Sequence, residues 1–340
     1  MRSILIIRLT SLGDVVLSTP LVRQLRRTYP DAVIDVMVHE RCAELWKNNP
    51  HVHHVWDVDP RAHHRLHSTL KAQMRASVPD GTYDLIVDLQ HNHRSRRLRR
   101  GLGRTVVLAP KHRLEKLALV WRKRFPDVVT SVVSRYRSCV DHLPLALDVD
   151  GPEVWLPEEG AAGAYGGWTT APTGRIALAP GAQHATKRWP AGRYAQLCDR
   201  LWQEAGLTPV LLGSAADSDV CAAIANASVA PVERADGATS IEQTLRVLDT
   251  CDALVTNDSG VMHLGAARRR PIVAIFGSTV PAFGFAPYGT RHVIVEHSVA
   301  CRPCTHIGRP SCPKGHFACM QEITVDAVID GLRSLGIFAS

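Results

Sequence analysis

Residues 1–25 read MRSILIIRLTSLGDVVLSTPLVRQL. Ser3 to Leu9 is rich in isoleucine and leucine and shows no polar alternation. A central parallel strand covered on both faces has that pattern. Thr10-Ser-Leu-Gly-Asp14 follows as a loop, and Val16, Leu17, Leu21, Val22 and Leu25 then recur at helical spacing. Pro20 within that pattern has two readings. Either Asp14 caps the helix and Pro20 kinks it, or Thr19 is the cap and Pro20 takes the first helical position.

The same rhythm continues outward. A second apolar strand is expected at Ala32 to Val38, and a third at Leu85 to Leu89 after the turn Pro79-Asp80-Gly81. Strands alternating with helices are the pattern of βαβ units and a parallel sheet. Residues 148–174 change character, becoming dense in Gly, Pro and Ala, and read as an interdomain linker. Beyond them strands are expected at Arg175–Ala179, Thr208–Leu212, Ala253–Thr256 and Pro271–Phe276. Helices are expected at Tyr194–Glu204, Ile241–Leu248 and Met262–Ala267, with a last one at Val325–Leu335 capped by Thr324. At 340 residues the chain exceeds one ordinary core. The expected class is therefore α/β with two doubly wound domains, at 1–150 and 174–322. Residues 151–173 link them, and a C-terminal helix at 323–340 packs back on the first domain. Ligands in such sheets bind at the carboxyl ends of the strands, where the strand order reverses.

Apolar residues make up 45% and charged residues 21%, which excludes a disordered, collagen-like or coiled-coil chain. No apolar run approaches the roughly 20 residues that span a bilayer. Ile4 to Ile7 is too short for a secretion signal, so a cytosolic location is expected. Thiols stay reduced there, and the nine cysteines do not read as a disulfide framework. The net charge of +8 points to an anionic partner. Six arginines crowd His91 to Arg104, and a second basic block runs from Lys111 to Arg124. Each is either a solvated helix face or an anion-binding surface. Nucleic acid is not expected as the partner. Aromatics are 6% of the chain and none interleave with residues 91–104, whereas base recognition uses aromatic platforms or a groove-reading helix. A nicotinamide-dependent dehydrogenase is excluded by the absence of G-x-G-x-x-G after the first strand.

Three strand-to-helix loops carry candidate chemistry. In Arg8-Leu-Thr-Ser-Leu-Gly-Asp14, Ser11 and Gly13 allow close approach of a ligand to the backbone, and Asp14 is either a helix cap or a base that takes a proton from a hydroxyl. In Pro180-Gly-Ala-Gln-His-Ala-Thr-Lys-Arg-Trp-Pro190, Gly181 and Lys187 suit a diphosphate, or the loop is only a solvated basic turn. In Thr256-Asn-Asp-Ser-Gly-Val-Met-His-Leu264, Ser259 and Gly260 lie where helix amides would meet a pyrophosphate. Asp258 would bond ribose hydroxyls or hold Lys187, and His263 follows one turn later. The bland alternative is an ordinary capped turn.

Together with Phe276-Gly-Ser-Thr-x-Pro281, these loops make the chain resemble the bacterial lipopolysaccharide heptosyltransferases of glycosyltransferase family 9, in a form similar to the second heptosyltransferase. The resemblance implies a GT-B architecture, two Rossmann-like domains facing a central cleft. It also implies inverting, metal-independent transfer of heptose from ADP-heptose to the lipopolysaccharide inner core. By that likeness Asp14 is the general base and Lys187 stabilises the departing diphosphate. Asp258, Ser259, Gly260 and His263 belong to the nucleotide loop. The acceptor would be Kdo-lipid A or its heptosylated core, met by a peripheral enzyme on the cytosolic face of the inner membrane, with Arg94, Arg96 and Arg97 as candidate contacts. The chain departs from the family where His-x-x-(Asp)-Arg-Tyr is replaced by Ser131-Val-Val-Ser-Arg-Tyr136. A relative of the same fold using another nucleotide sugar is the nearest alternative.

Cys301, Cys304, Cys312 and Cys319 give C-x2-C-x7-C-x6-C. The four would make a structural zinc site, packed reduced thiols, or a disulfide. The second CxxC of a zinc ribbon is missing, and no cofactor is expected for catalysis.

Overall fold

The computed structural model describes the chain except residues 60, 62–63, 127, 147, 159–172, 238–239 and 339–340. It divides into two compact units, Met1–Lys111 with Val132–Gly166 and His112–Ser131 with Gly167–Ser340.

The first unit carries β1 (Ser3–Ile7), α1 (Leu12–Val16), α2 (Thr19–Thr28), β2 (Val33–His39), β3 (His54–Val58), α3 (His64–Ala76), β4 (Tyr83–Asp88), α4 (His93–Arg99) and β5 (Gly103–Leu108). Next in the chain, α5 (Arg113–Arg122) belongs to the second unit and α6 (Val132–Ser138) to the first. The five strands are all parallel, in the order β3-β2-β1-β4-β5. Central strand β1 is buried along its whole length, as its unbroken apolar run requires. Strands β3 and β5 escaped the sequence reading because each is an edge strand with partly exposed, polar-punctuated residues.

Pro20 splits its helical pattern in a third way. α1 stops at Val16, and α2 begins at Thr19 behind Ser18 with Pro20 in its first turn. A continuous helix would need an N–H at residue 20 to reach the Val16 carbonyl, and proline has none. The Thr19 hydroxyl donates to that carbonyl at 2.8 Å instead.

The expected linker also begins too early. Asp148 and Gly151 to Leu156 are buried in the first unit. Arg23 of α2 holds them: its guanidinium donates twice to Asp148 at 2.8 Å, once to the Gly151 carbonyl at 2.6 Å, and also to Glu153. The composition that suggested a linker belongs mostly to residues 159–172, which lie outside the described residues.

The second unit continues with β6 (Arg175–Ala179), α7 (Ala191–Ala205), β7 (Thr208–Leu212), α8 (Ser218–Ala227), β8 (Glu233–Ala235), α9 (Ile241–Asp249), β9 (Ala253–Asn257), α10 (Gly260–Ala267), β10 (Ile272–Phe276), β11 (His292–Glu296), α11 (Ala318–Gln321) and α12 (Val325–Ser334). Its parallel sheet runs β8-β7-β6-β9-β10-β11. Thr324 caps α12 as expected, its hydroxyl accepting from the Ala327 amide. The expectation for the packing of α12 needs correcting. Val328, Ile329 and Leu332 join Leu197 and Leu201 of α7 and Val273 and Ile275 of β10 in the core of the second unit.

Both sheets have the doubly wound order, with reversals between β1 and β4 and between β6 and β9. In doubly wound sheets the loops at such reversals are where ligands bind.

Candidate active site

In the first unit, the loop after β1 folds back on itself around Asp14. The Arg8 guanidinium lies 2.6 Å from Asp14 Oδ1, and the Tyr136 hydroxyl of α6 donates to the same oxygen at 3.1 Å. Oδ2 accepts from the Ser11 hydroxyl at 2.8 Å and the Ser11 amide at 3.3 Å. The loop after β4 supports this arrangement: Gln90 Oε1 accepts the Leu9 and Thr10 amides, and the Leu89 carbonyl accepts from Arg8. Burial pushes the Asp14 carboxyl up, but Arg8 and the Ser11 donors outweigh it, so its pKa is held below the ordinary carboxylate value. Burial, and then the Asp14 charge, raise the Tyr136 phenol well above its ordinary value. Asp14 is therefore an ionised carboxylate at neutral pH, gripped by one cation and two hydroxyls.

Ser11 spends its hydroxyl and amide on Asp14, and Gly13 is buried within α1. The Ser11 groups that this loop offers are thus turned toward the chain's own carboxylate. Arg8 and Tyr136 were not among the expected site residues. Arg8 stood inside the quoted motif, whereas Tyr136 stood in the stretch where the family pattern breaks.

The second unit places its groups at the β6/β9 reversal. Asn257, the last residue of β9, donates to the Pro180 carbonyl at 2.8 Å and accepts the Trp189 amide at 3.1 Å. The Trp189 ring is buried and donates to the Ile323 carbonyl. These contacts fix both ends of the loop that carries Lys187. The Lys187 ammonium meets Asp258 Oδ2 at 2.7 Å, and the Thr279 hydroxyl donates to that same oxygen at 2.7 Å. Of the two roles open to Asp258, the structure shows it holding Lys187. Thr279, quoted only as part of a motif, is the third member of the cluster.

Ser259 stands at the N-cap of α10 in extended conformation, and its hydroxyl does not bond the helix's own amides. The first-turn N–H groups, starting at Gly260, therefore remain for an anionic group at the positive end of the helix. His263 is buried one turn in, its ring 6.4 Å from that of Phe285. Gly181 has a packing reason to be glycine, because an added Cβ would stand 2.4 Å from the Asp217 carboxylate.

The arginine block divides by facing. Arg99 turns inward to Asp88 at 2.9 Å, and Ser95 donates to the same buried carboxylate. Arg94, Arg96 and Arg97 are exposed on α4. In the second unit Cys301, Cys304, Cys312 and Cys319 line one pocket with His316, and all four are free thiols. Cys301 Sγ is 3.8 Å from His316 Nε2. Among the described residues no three His, Cys, Asp or Glu side chains are already set as a metal-ligand group. No described helix is long and apolar enough to cross a membrane.

Comparison with known proteins gives the chain's relatives. Residues 71–313 match the model of glycosyltransferase family 9 (heptosyltransferase). The lipopolysaccharide heptosyltransferase 2 of Salmonella typhimurium is 30% identical over 98% of this chain and 98% of its own length. The lipopolysaccharide heptosyltransferase 1 of Pseudomonas aeruginosa is also 30% identical, over 88% of this chain and 85% of its own. Among solved structures, the ADP-heptose lipopolysaccharide heptosyltransferase II of Escherichia coli superposes with a TM-score of 0.70 at 25% identity, covering 98% of both chains.

Proposed function

Because this chain belongs to glycosyltransferase family 9, the heptosyltransferases, we propose that it transfers heptose from ADP-heptose to the lipopolysaccharide inner core, with inversion and without a metal in the transfer step. The observation that carries the reading is the Lys187–Asp258–Thr279 cluster beside the uncapped start of α10. A fixed cation and a row of helix amides are what a departing diphosphate needs.

In the proposed reaction an acceptor hydroxyl oxygen attacks the anomeric carbon from the face opposite ADP. Its proton passes to a carboxylate oxygen of Asp14. The bond from the anomeric carbon to the β-phosphate oxygen breaks, and its electron pair leaves with ADP. Lys187 and the α10 amides offset the charge that develops there, the task a metal performs in other transferases. Asp14 Oδ1 already accepts from Arg8 and Tyr136, so the acceptor hydroxyl takes the place of Tyr136, the more distant of the two.

The acceptor in this reading is Kdo-lipid A or its heptosylated core, reached peripherally from the cytosolic face of the inner membrane. Arg94, Arg96 and Arg97 offer its phosphates and carboxylates a cationic face. The Lys187-Arg-Trp-Pro190 form and the cysteine-rich segment favour addition of the second heptose. A zinc ion on Cys301, Cys304, Cys312 and Cys319 would be structural.

Thermal-shift titration with ADP, UDP, GDP, CMP and NAD in parallel tests the donor. A nucleotide at 100 times its dissociation constant stabilises the fold by about 2.7 kcal/mol. Selective stabilisation by ADP is expected. Stabilisation by UDP or GDP would keep glycosyl transfer and discard ADP-heptose, and no response to any nucleotide would remove the reading.

A further inference from the structure

We propose that α5 and the segment after it form the surface by which this protein lies on an anionic lipid bilayer. Leu119 and Lys123 hold α5 to the second unit. Leu119 is buried against Val280, Ala282 and Phe283, and the Lys123 ammonium at the helix end donates to the Cys301 carbonyl at 3.0 Å and to the Pro303 carbonyl. The opposite side faces outward and is apolar. Leu114, Leu117 and Trp121 recur at i, i+3 and i+7, one stripe of the helix. Leu114 is 83% and Trp121 81% exposed, and Leu117 is exposed beside them. Phe125, Val128 and Val129 extend the exposed apolar surface past the helix end. Single apolar side chains in water are ordinary, but a run of six along one segment marks an interaction surface.

The charges select the occupant. Residues 111–129 carry six basic side chains, Lys111, Arg113, Lys116, Arg122, Lys123 and Arg124, against two acidic, Glu115 and Asp127. Glu115 is itself within 2.7 Å of His112. Arg113, Arg122 and Arg124 are exposed alongside the apolar stripe. A second copy of this chain docked face to face would set these cations against their equivalents, because a two-fold interface uses the same patch twice. An anionic lipid surface complements both features. Leucine and tryptophan enter the headgroup boundary while arginines meet the lipid phosphates, the behaviour of an amphipathic helix lying in the membrane plane. At ten residues α5 is far too short to span. This inference deepens the proposed function and rests on it for its purpose, since an enzyme seated in this way would meet a lipid-borne acceptor.

Vesicle cosedimentation tests it with neither donor nor acceptor present. The probes are phosphatidylcholine vesicles and phosphatidylcholine vesicles mixed with phosphatidylglycerol. Binding is expected to the phosphatidylglycerol vesicles, to weaken as salt is raised, and to be slight on phosphatidylcholine alone. Leu114→Ser with Trp121→Ser should lower the partition coefficient by about tenfold or more. Arg113→Gln, Arg122→Gln and Arg124→Gln together should lower it on the order of 100-fold, at about fivefold per cation. All these side chains are exposed, so both variants should keep the wild-type Tm and nucleotide response. Failure of the nucleotide response in wild type would count against the transferase and leave the vesicle result standing. Three results would overturn the proposal: no vesicle binding by wild type, variants that bind as wild type does, or a wild-type dimer that the variants convert to monomer.

Discussion

Asp14 accepts four hydrogen bonds at once, from Arg8 and Tyr136 on one oxygen and from the Ser11 hydroxyl and amide on the other. Such a carboxylate is well anchored and weakly basic, so its proton affinity at the moment of transfer depends on what the acceptor displaces. Its folded pKa is depressed, despite the opposing effect of burial, mainly by Arg8. The stability this contributes is present above the ordinary carboxylate pKa and disappears as pH falls through the lower folded value. The acid limb of kcat/KM should accordingly lie below the ordinary range. Arg8→Gln removes the cation, and the limb should move up by about one pH unit or more. Asp14→Asn should keep the nucleotide-induced thermal shift and lose about 100-fold or more in kcat. An unmoved limb in Arg8→Gln, or near-normal turnover in Asp14→Asn, would remove Asp14 as the base. Asp14 and Lys187, the groups proposed to act, stand out in the sequence because each lies in a short motif after an apolar strand. Tyr136 does not, because its contact with Asp14 spans 122 residues.

Segment 301–319 ties together two loops of the second unit. Arg302 donates to the Thr279 carbonyl at 3.0 Å, the Cys304 amide to the Ser278 carbonyl at 3.2 Å, and the Arg309 amide to the Thr186 hydroxyl at 2.8 Å. Thr279 bonds Asp258, and Thr186 precedes Lys187, so the cysteine-bearing segment supports the groups proposed to hold the diphosphate. A zinc ion on the four thiols would fasten that support. Elemental analysis of protein purified without chelator should find about one zinc per chain, and Cys301→Ser with Cys304→Ser should release it and weaken the ADP thermal shift. Zinc at a small fraction of an equivalent, with an undiminished ADP response in the variant, would leave reduced thiols as the reading. Nine cysteines and their spacing raised the question, but only the fold brought Cys319, on α11, to the same pocket as the CxxC pair.

Two units with separate cores make stability a local property of each. In the first unit Arg23 pairs with both Asp148 and Glu153, all three deeply buried. Arg23→Ala would leave two carboxylates buried without it, and losing one partner of a buried ion pair costs about 3–5 kcal/mol. Calorimetry should show the first unit's transition shifted down and the second's unchanged, while a uniform shift of both would refute the local reading. The amino-acid sequence alone determined the doubly wound α/β class and pointed to the loops proposed to carry chemistry. Central parallel strands are covered on both faces and must be apolar throughout, and the polar loop after such a strand stands out against it. Tertiary structure alone decided that Asp148 and residues 151–156 are buried, that residues 112–131 join the second unit, and that α12 completes that unit's interior. It also decided the edge strands and the partners of Asp14 and Lys187. Each of these depends on contacts between residues far apart in the chain, and composition carries no record of which distant side chain neutralises a buried charge or covers an apolar face.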